Sequence, residues 1–333
     1  MEKDKTQYAI YRYDFHRAAS RTLLAEADGV DGEKSLKHAT ECFASLFDLN
    51  SIDSLAKNNA KGEFTRLPND VMKKQGNIIV WRVNNSQIKE WWGRNGKTPQ
   101  GIDVYERQEV ESNPYCYVLI DLCPSHCLMA IEKSAAWASN TDKVRDMLLE
   151  NFNRLLADRF DLEMRIDALM NPTEFWDFVH QRIFEHGDHV KRICFTFQNP
   201  KKTNAPGSVE TKNRRLANML QTVEIMDALK GYLTMEFDQN SSGKFSPKNR
   251  DLAEMVRLCS GNGYDISITF SEYKVYRINQ YVKAFYELTG DILQDFKSDQ
   301  LRFGGRTDLE VWFDMIDQQT KDFINETEIP TRR

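Results

Sequence analysis

The sequence predicts an α+β protein in two parts: a β-rich, mostly antiparallel N-terminal domain, then a domain of alternating strands and helices with a helical tail. Three observations carry this expectation. Tyr115 to Leu122 is the longest run rich in β-branched and aromatic residues, and Cys127 to Ile131 follows it across Pro124-Ser125, the pattern of a buried hairpin. Asn140-Thr141-Asp142 then opens an amphipathic helix to about Phe160, with Val144, Met147, Leu148, Phe152 and Leu155 as its apolar seam. Beyond it, strand-like and helix-like runs alternate. The boundary is placed at the end of that helix, giving domains 1–160 and 161–333, and 333 residues are enough for two cores.

In the first part, Gln7 to Tyr13 alternates and is aromatic-rich, which predicts an opening strand. His16 to Val30 is ambiguous. Gly32 to Phe47 places Leu36, Ala39, Thr40, Phe43, Leu46 and Phe47 on one helical face, and Asn50 to Gly62 reads as loop with a short helix. Short strands follow over 64–67, 77–83, 88–92 and 102–110, punctuated by Gly and Pro. In the second part, Leu162–Leu169 is a strand, and Asn171-Pro-Thr-Glu174 starts a helix with Pro at its first position and acid in its first turn. Val190–Phe197 is an apolar strand. Lys212–Lys230 reads as a helix and Tyr232–Phe237 as a strand. A helix follows from Phe245 to Cys259, and a hairpin from Ile266 to Ile278 turns at Ser271-Glu272. Gln280 to Asn325 reads as helical. Acids outnumber bases there, which suggests a solvated helical cap carrying the stripe Leu309, Trp312, Phe313, Ile316 and Phe323.

A net charge of −5 argues against coating nucleic acid or anionic membrane by bulk electrostatics, so any such binding needs a local basic patch. No apolar run is long enough to span a membrane, and the first residues hold no apolar signal core. The six cysteines are scattered, as expected of reduced thiols in a cytoplasmic protein.

Four groups of residues carry candidate chemistry. Cys123, His126 and Cys127 are the tightest cluster of zinc-type donors. Three ligands in a five-residue turn with no second pair elsewhere favour a plain hairpin turn, so no metal or cofactor is expected. Arg182 and His189 have the loose spacing of the metal-independent ribonucleases called HEPN domains, where Arg and His at a helix end act on the 2′-hydroxyl and phosphate. The plainer reading is a polar helix end. Asp265, Glu272 and Lys274 resemble the restriction-type nuclease motif, in which Asp and a Glu-x-Lys strand hold magnesium; Mg2+ would be the cofactor in that case alone. The fourth group is basic. Lys201, Lys202, Lys212, Arg214 and Arg215 flank one loop, and Lys244, Lys248 and Arg250 stand at a second helix start, a surface suited to phosphate. Trp91-Trp92 with Trp81 are candidate contact aromatics for a protein partner, a place in the core being the plainer reading.

The layout resembles bacterial phage-defence proteins of the lambda Rex A kind and, more loosely, the Kiwa B protein. The resemblance is one of pattern. It rests on a short aromatic opening strand (Tyr8-Ala-Ile-Tyr11), a β-rich half closed by a hairpin (Cys116–Ile131), and an α+β second half. It implies a cytoplasmic antiviral-defence component of the abortive-infection type that binds DNA without being an enzyme. The expectation is therefore nucleic-acid binding, DNA before RNA, through the basic loop. A nuclease is the rival reading, and a protein-interaction subunit or homo-oligomer the third.

Overall fold

A computed structural model describes residues 5–48, 54–58, 64–68, 71–85, 87–97, 99–100, 103–112, 114–199, 201–203, 214–238, 245–272, 274–289 and 308–325. The first half runs β1 (Lys5–Arg17), α1 (Leu23–Ala27), α2 (Gly32–Lys37), α3 (Ala39–Asp48), β2 (Ser54–Asn58), β3 (Phe64–Pro68), β4 (Val71–Gln75), β5 (Ile78–Asn84), β6 (Gln87–Lys97), β7 (Asp103–Ser112), β8 (Tyr115–Asp121), β9 (Leu128–Glu132) and α4 (Thr141–Phe160). The second runs β10 (Leu162–Ala168), α5 (Pro172–Phe184), β11 (Val190–Gln198), α6 (Arg214–Ile225), β12 (Lys230–Glu236), α7 (Arg250–Asn262), β13 (Ile266–Phe270), β14 (Val275–Arg277), β15 (Phe285–Thr289) and α8 (Asp308–Asn325). The chain is α+β, and all its strand pairings are antiparallel among the described residues.

β1 is the spine. One of its edges pairs with β9, and through β8 and β5 the sheet continues to β4. Its other edge is shared: the C-terminal half pairs with β10 and the N-terminal half with β15. Side chains alternate across the sheet, so Tyr11, Tyr13 and Phe15 face α3 and α4, while Tyr8 and Ile10 face α8. Phe43 of α3 and Val144, Leu148, Phe152 and Leu156 of α4 complete the first core; Leu309, Trp312, Phe313 and Ile316 of α8 form the second. Each fully buried side chain of this size contributes roughly 1.5–3 kcal/mol over leaving it in water.

α4 begins where its cap dictates, the Asn140 side chain accepting from the amides of Asp142 and Lys143. A second sheet, β12-β11-β13-β14, packs on α5 and α7 through Phe175, Val179, Phe195, Val256 and Ile268.

Several expectations need correction. β15 occupies 285–289, within the stretch read as helical, because its register against β1 buries Leu288 in the α8 core. α8 is no solvated cap: its acids share the helix with Leu309, Phe313 and Ile316, all fully buried. The span 50–62 contains strand β2 in place of a helix. Within α4, Leu156 is buried and Leu155 only packs at the margin. The boundary expected at 160/161 falls between α4 and β10, and β10 is hydrogen-bonded to β1. Together with β15 and α8, it ties late sequence into the first sheet.

Candidate nucleic-acid interface

Two of the predicted binding residues line a groove of about 810 Å3, formed by Arg17, Glu33, Leu36, Lys37, Lys201, Lys202, Asp227 and Leu229 among others. β1 carries Arg17 to its rim, α2 presents Lys37, and the turn after β11 brings Lys201 and Lys202. An isolated antiparallel bridge between His16 and Thr203 closes the two segments together.

Asn199, fully buried, builds the lysine turn. Its amide group donates to the carbonyl oxygens of Ala228 at 2.7 Å and Val223 at 3.4 Å, while its Oδ1 accepts from the Lys201 amide at 3.0 Å. Its carbonyl accepts from the Lys202 amide and the Thr203 hydroxyl. This is an Asx turn, in which a short polar side chain replaces a backbone partner and fixes the chain direction. On the facing wall, Gly32 at the start of α2 lies where any Cβ would strike the Asp161 carboxylate, so glycine permits the close approach of α2 to the junction of α4 and β10.

Acidic partners temper the charge. Lys201 meets Glu224 at 3.1 Å, Lys202 meets Asp227 at 2.9 Å, and Arg17 lies 3.4 Å from Asp161 and 3.8 Å from Glu33. The pairs of Lys201, Lys202 and Glu33 each have an exposed member and are worth about 0–1 kcal/mol, whereas the Asp161 carboxylate is buried.

The other predicted basic residues are not gathered here. Arg214 and Arg215 open α6, whose later residue Glu224 pairs with Lys201, so about 15 Å of helix separates them from the lysine turn. Lys248 and Arg250 are exposed and follow the other end of the sheet, past Glu236, which pairs with Arg192. Lys212 and Lys244 lie outside the described residues. Arg17 and Lys37 were missed by sequence reasoning. No local pattern marks them, because a contact between residues 16 and 203 creates their proximity.

Arg182, Glu272 and Lys274, drawn from the two nuclease readings, fall together as a structural cluster. Arg182 is bound by Asp188 at 2.6 Å and by Glu272, and its guanidinium lies over the rings of Phe270 (5.4 Å) and Tyr276 (4.9 Å). Glu272 also accepts from the Tyr276 hydroxyl, and Lys274 lies 4.9 Å over the same ring. His189 is half-buried just before β11. Asp265 stands at the far end of β13, about 17 Å of strand away, where burial pushes its carboxyl pKa up. The acid of the proposed magnesium set is therefore not beside its Glu-x-Lys partners.

Cys127 is fully buried, and its thiol points to the Pro124 carbonyl. His126 Nδ1 is 2.7 Å from Asp121, with Asp314 at 3.6 Å and Asp317 at 3.9 Å from Nε2. This histidine secures the hairpin against α8. No group of three or more His, Cys, Asp or Glu is placed to hold a metal ion among the described residues. No helix is long and apolar enough to cross a membrane among them. Trp81 is buried against Phe47 and Phe152, so it is a core residue and not a contact aromatic. The side chains of Trp91 and Trp92, on β6, lie outside the described ones.

Comparison with protein-family models, with curated proteins and with solved structures finds no match for the chain, so the functional reading rests on this geometry.

Proposed function

We propose that the chain binds the sugar–phosphate backbone of a nucleic acid, DNA in the first instance, in the groove of Arg17, Lys37, Lys201 and Lys202. It does so without cleaving it, as a component of anti-phage defence of the kind its sequence layout implies. The observation that carries this reading is the convergence of four cations from two distant segments on one concave surface, in a chain whose net charge is −5. Phosphate contacts of this type position a partner without reading its sequence, and they release counterions, so affinity falls steeply with salt.

The experiment is fluorescence anisotropy with labelled duplex DNA, single-stranded DNA and RNA, each with Mg2+ and with EDTA, followed by a gel of the recovered strand. Salt-sensitive binding with an intact strand is the expected result. Absence of binding at low salt overturns the proposal. A cut strand replaces it with a nuclease, the EDTA arm separating metal-dependent from metal-independent cleavage.

A further inference from the structure

Edge strands expose a row of unpaired backbone groups, and proteins blunt them with charge, shortness or bulges. The described edges of the larger sheet follow this rule. β4 carries Lys73 and Lys74, β10 carries Glu163, Arg165 and Asp167, and β15 has Glu287 at its centre. In the second sheet, β14 is only three residues long. β12 is the exception among the described edge strands: seven residues, with Gly231, Tyr232, Leu233, Thr234 and Met235 between its charged ends. The segment leading into it is apolar and exposed, with Ile225 73% and Met226 72% accessible, and Tyr232 within the strand is 60% accessible.

We propose that β12 pairs antiparallel with β12 of a second copy of this chain, about a two-fold axis at Leu233. The strand is self-complementary in that register alone. Lys230 falls opposite Glu236 of the copy, at both ends of the ladder. Gly231 falls opposite Met235, smallest against longest, on the face that α6 covers through Val223. Tyr232 falls opposite Thr234 on the open face, and Leu233 meets its own counterpart. Glu236 already accepts from Arg192 on β11 at 2.7 Å, so the copy's Lys230 completes a three-membered charge cluster. The contact is isologous and therefore closes at two chains. It joins two four-stranded sheets into one of eight. The inference is independent of the groove and of its ligand.

The test is light scattering and sedimentation of the full chain at tens of micromolar, with two variants. Wild type is expected at twice the chain mass. Lys230→Glu, an exposed substitution, sets two carboxylates together at both ends and raises the dimer dissociation constant about tenfold. Leu233→Cys places two sulfurs across the axis at a Cα separation of about 4.5–5.5 Å, which a disulfide spans, and yields a reducible dimer band under mild oxidation. A monomeric wild type overturns the proposal. So does a dimer that tolerates Lys230→Glu and shows no reducible band in the Leu233→Cys variant, since its contact then lies elsewhere.

Discussion

Asp317 joins the last helix to the first strand, and its replacement by Ala is the sharpest stability test of the fold. Its carboxylate accepts from the Arg12 guanidinium at 3.1 Å, and the two side chains are only 4% and 7% exposed. Lys321 approaches the same carboxylate at 2.5 Å from the exposed side of α8. Burial depresses the Arg12 pKa, and Asp317 is the principal group opposing that effect. Removing Asp317 leaves a cation buried between β1 and α8 with no counter-charge, which costs about 3–5 kcal/mol. With a urea dependence of about 3 kcal/mol per molar, the unfolding midpoint falls by roughly 1–1.7 M. Replacing both partners with apolar residues, Arg12→Met with Asp317→Leu, should return stability to within about 1.5 kcal/mol of wild type, because no orphaned charge remains. Equilibrium urea unfolding followed by fluorescence and circular dichroism measures all three proteins. A loss below about 1 kcal/mol for Asp317→Ala would refute the claim that α8 is a buried layer of the first sheet.

Three further outcomes follow from the same contacts. Phe313→Ala should cost about 3–5 kcal/mol by the same assay, whereas an exposed cap helix would lose only a few tenths. The hydrogen bond that His126 donates to the Asp121 carboxylate raises the His126 pKa, with Asp317 and Asp314 adding to it. The contribution of His126 is therefore complete below about pH 6.5 and is lost as pH rises through the raised folded value; His126→Gln should flatten the fall in urea midpoint above that pH. Glu272→Gln should lower stability by about 1 kcal/mol by weakening the Arg182 pair, and should leave DNA binding measured by anisotropy unchanged.

How much was legible in the sequence depended on how local the signal was. The Asn140 cap and the apolar seam of α4 are contiguous in sequence, and they place the helix at about Thr141–Phe160, where the structure has it. The hairpin of β8 and β9 was equally clear, since turn chemistry and both apolar runs are contiguous. β15 was not. Its five residues gain meaning only by adding to β1, some 280 residues earlier. The same limit applies to α8, whose apolar stripe is readable in the sequence but whose covering by the first sheet is not. At the site, Lys201 and Lys202 were readable as a basic pair, but Arg17 and Lys37 were invisible until the His16–Thr203 bridge set them beside it. Glu272 was read as a metal ligand because Glu-x-Lys is a cheap pattern. Its partner in the fold is Arg182, which sequence reasoning had assigned to a different chemistry.

The binding account is tested most directly by the salt dependence of duplex affinity in three proteins: wild type, Lys37→Ala/Lys201→Ala/Lys202→Ala, and Lys248→Ala/Arg250→Ala. Each phosphate contact contributes about 0.9 to the slope of log affinity against log salt, so loss of the three groove lysines should reduce that slope by about 2–3. The pair at the other end of the second sheet should leave it unchanged. Equal slopes for wild type and the groove variant, with unfolding midpoints intact, would contradict the account and remove the groove from the binding surface.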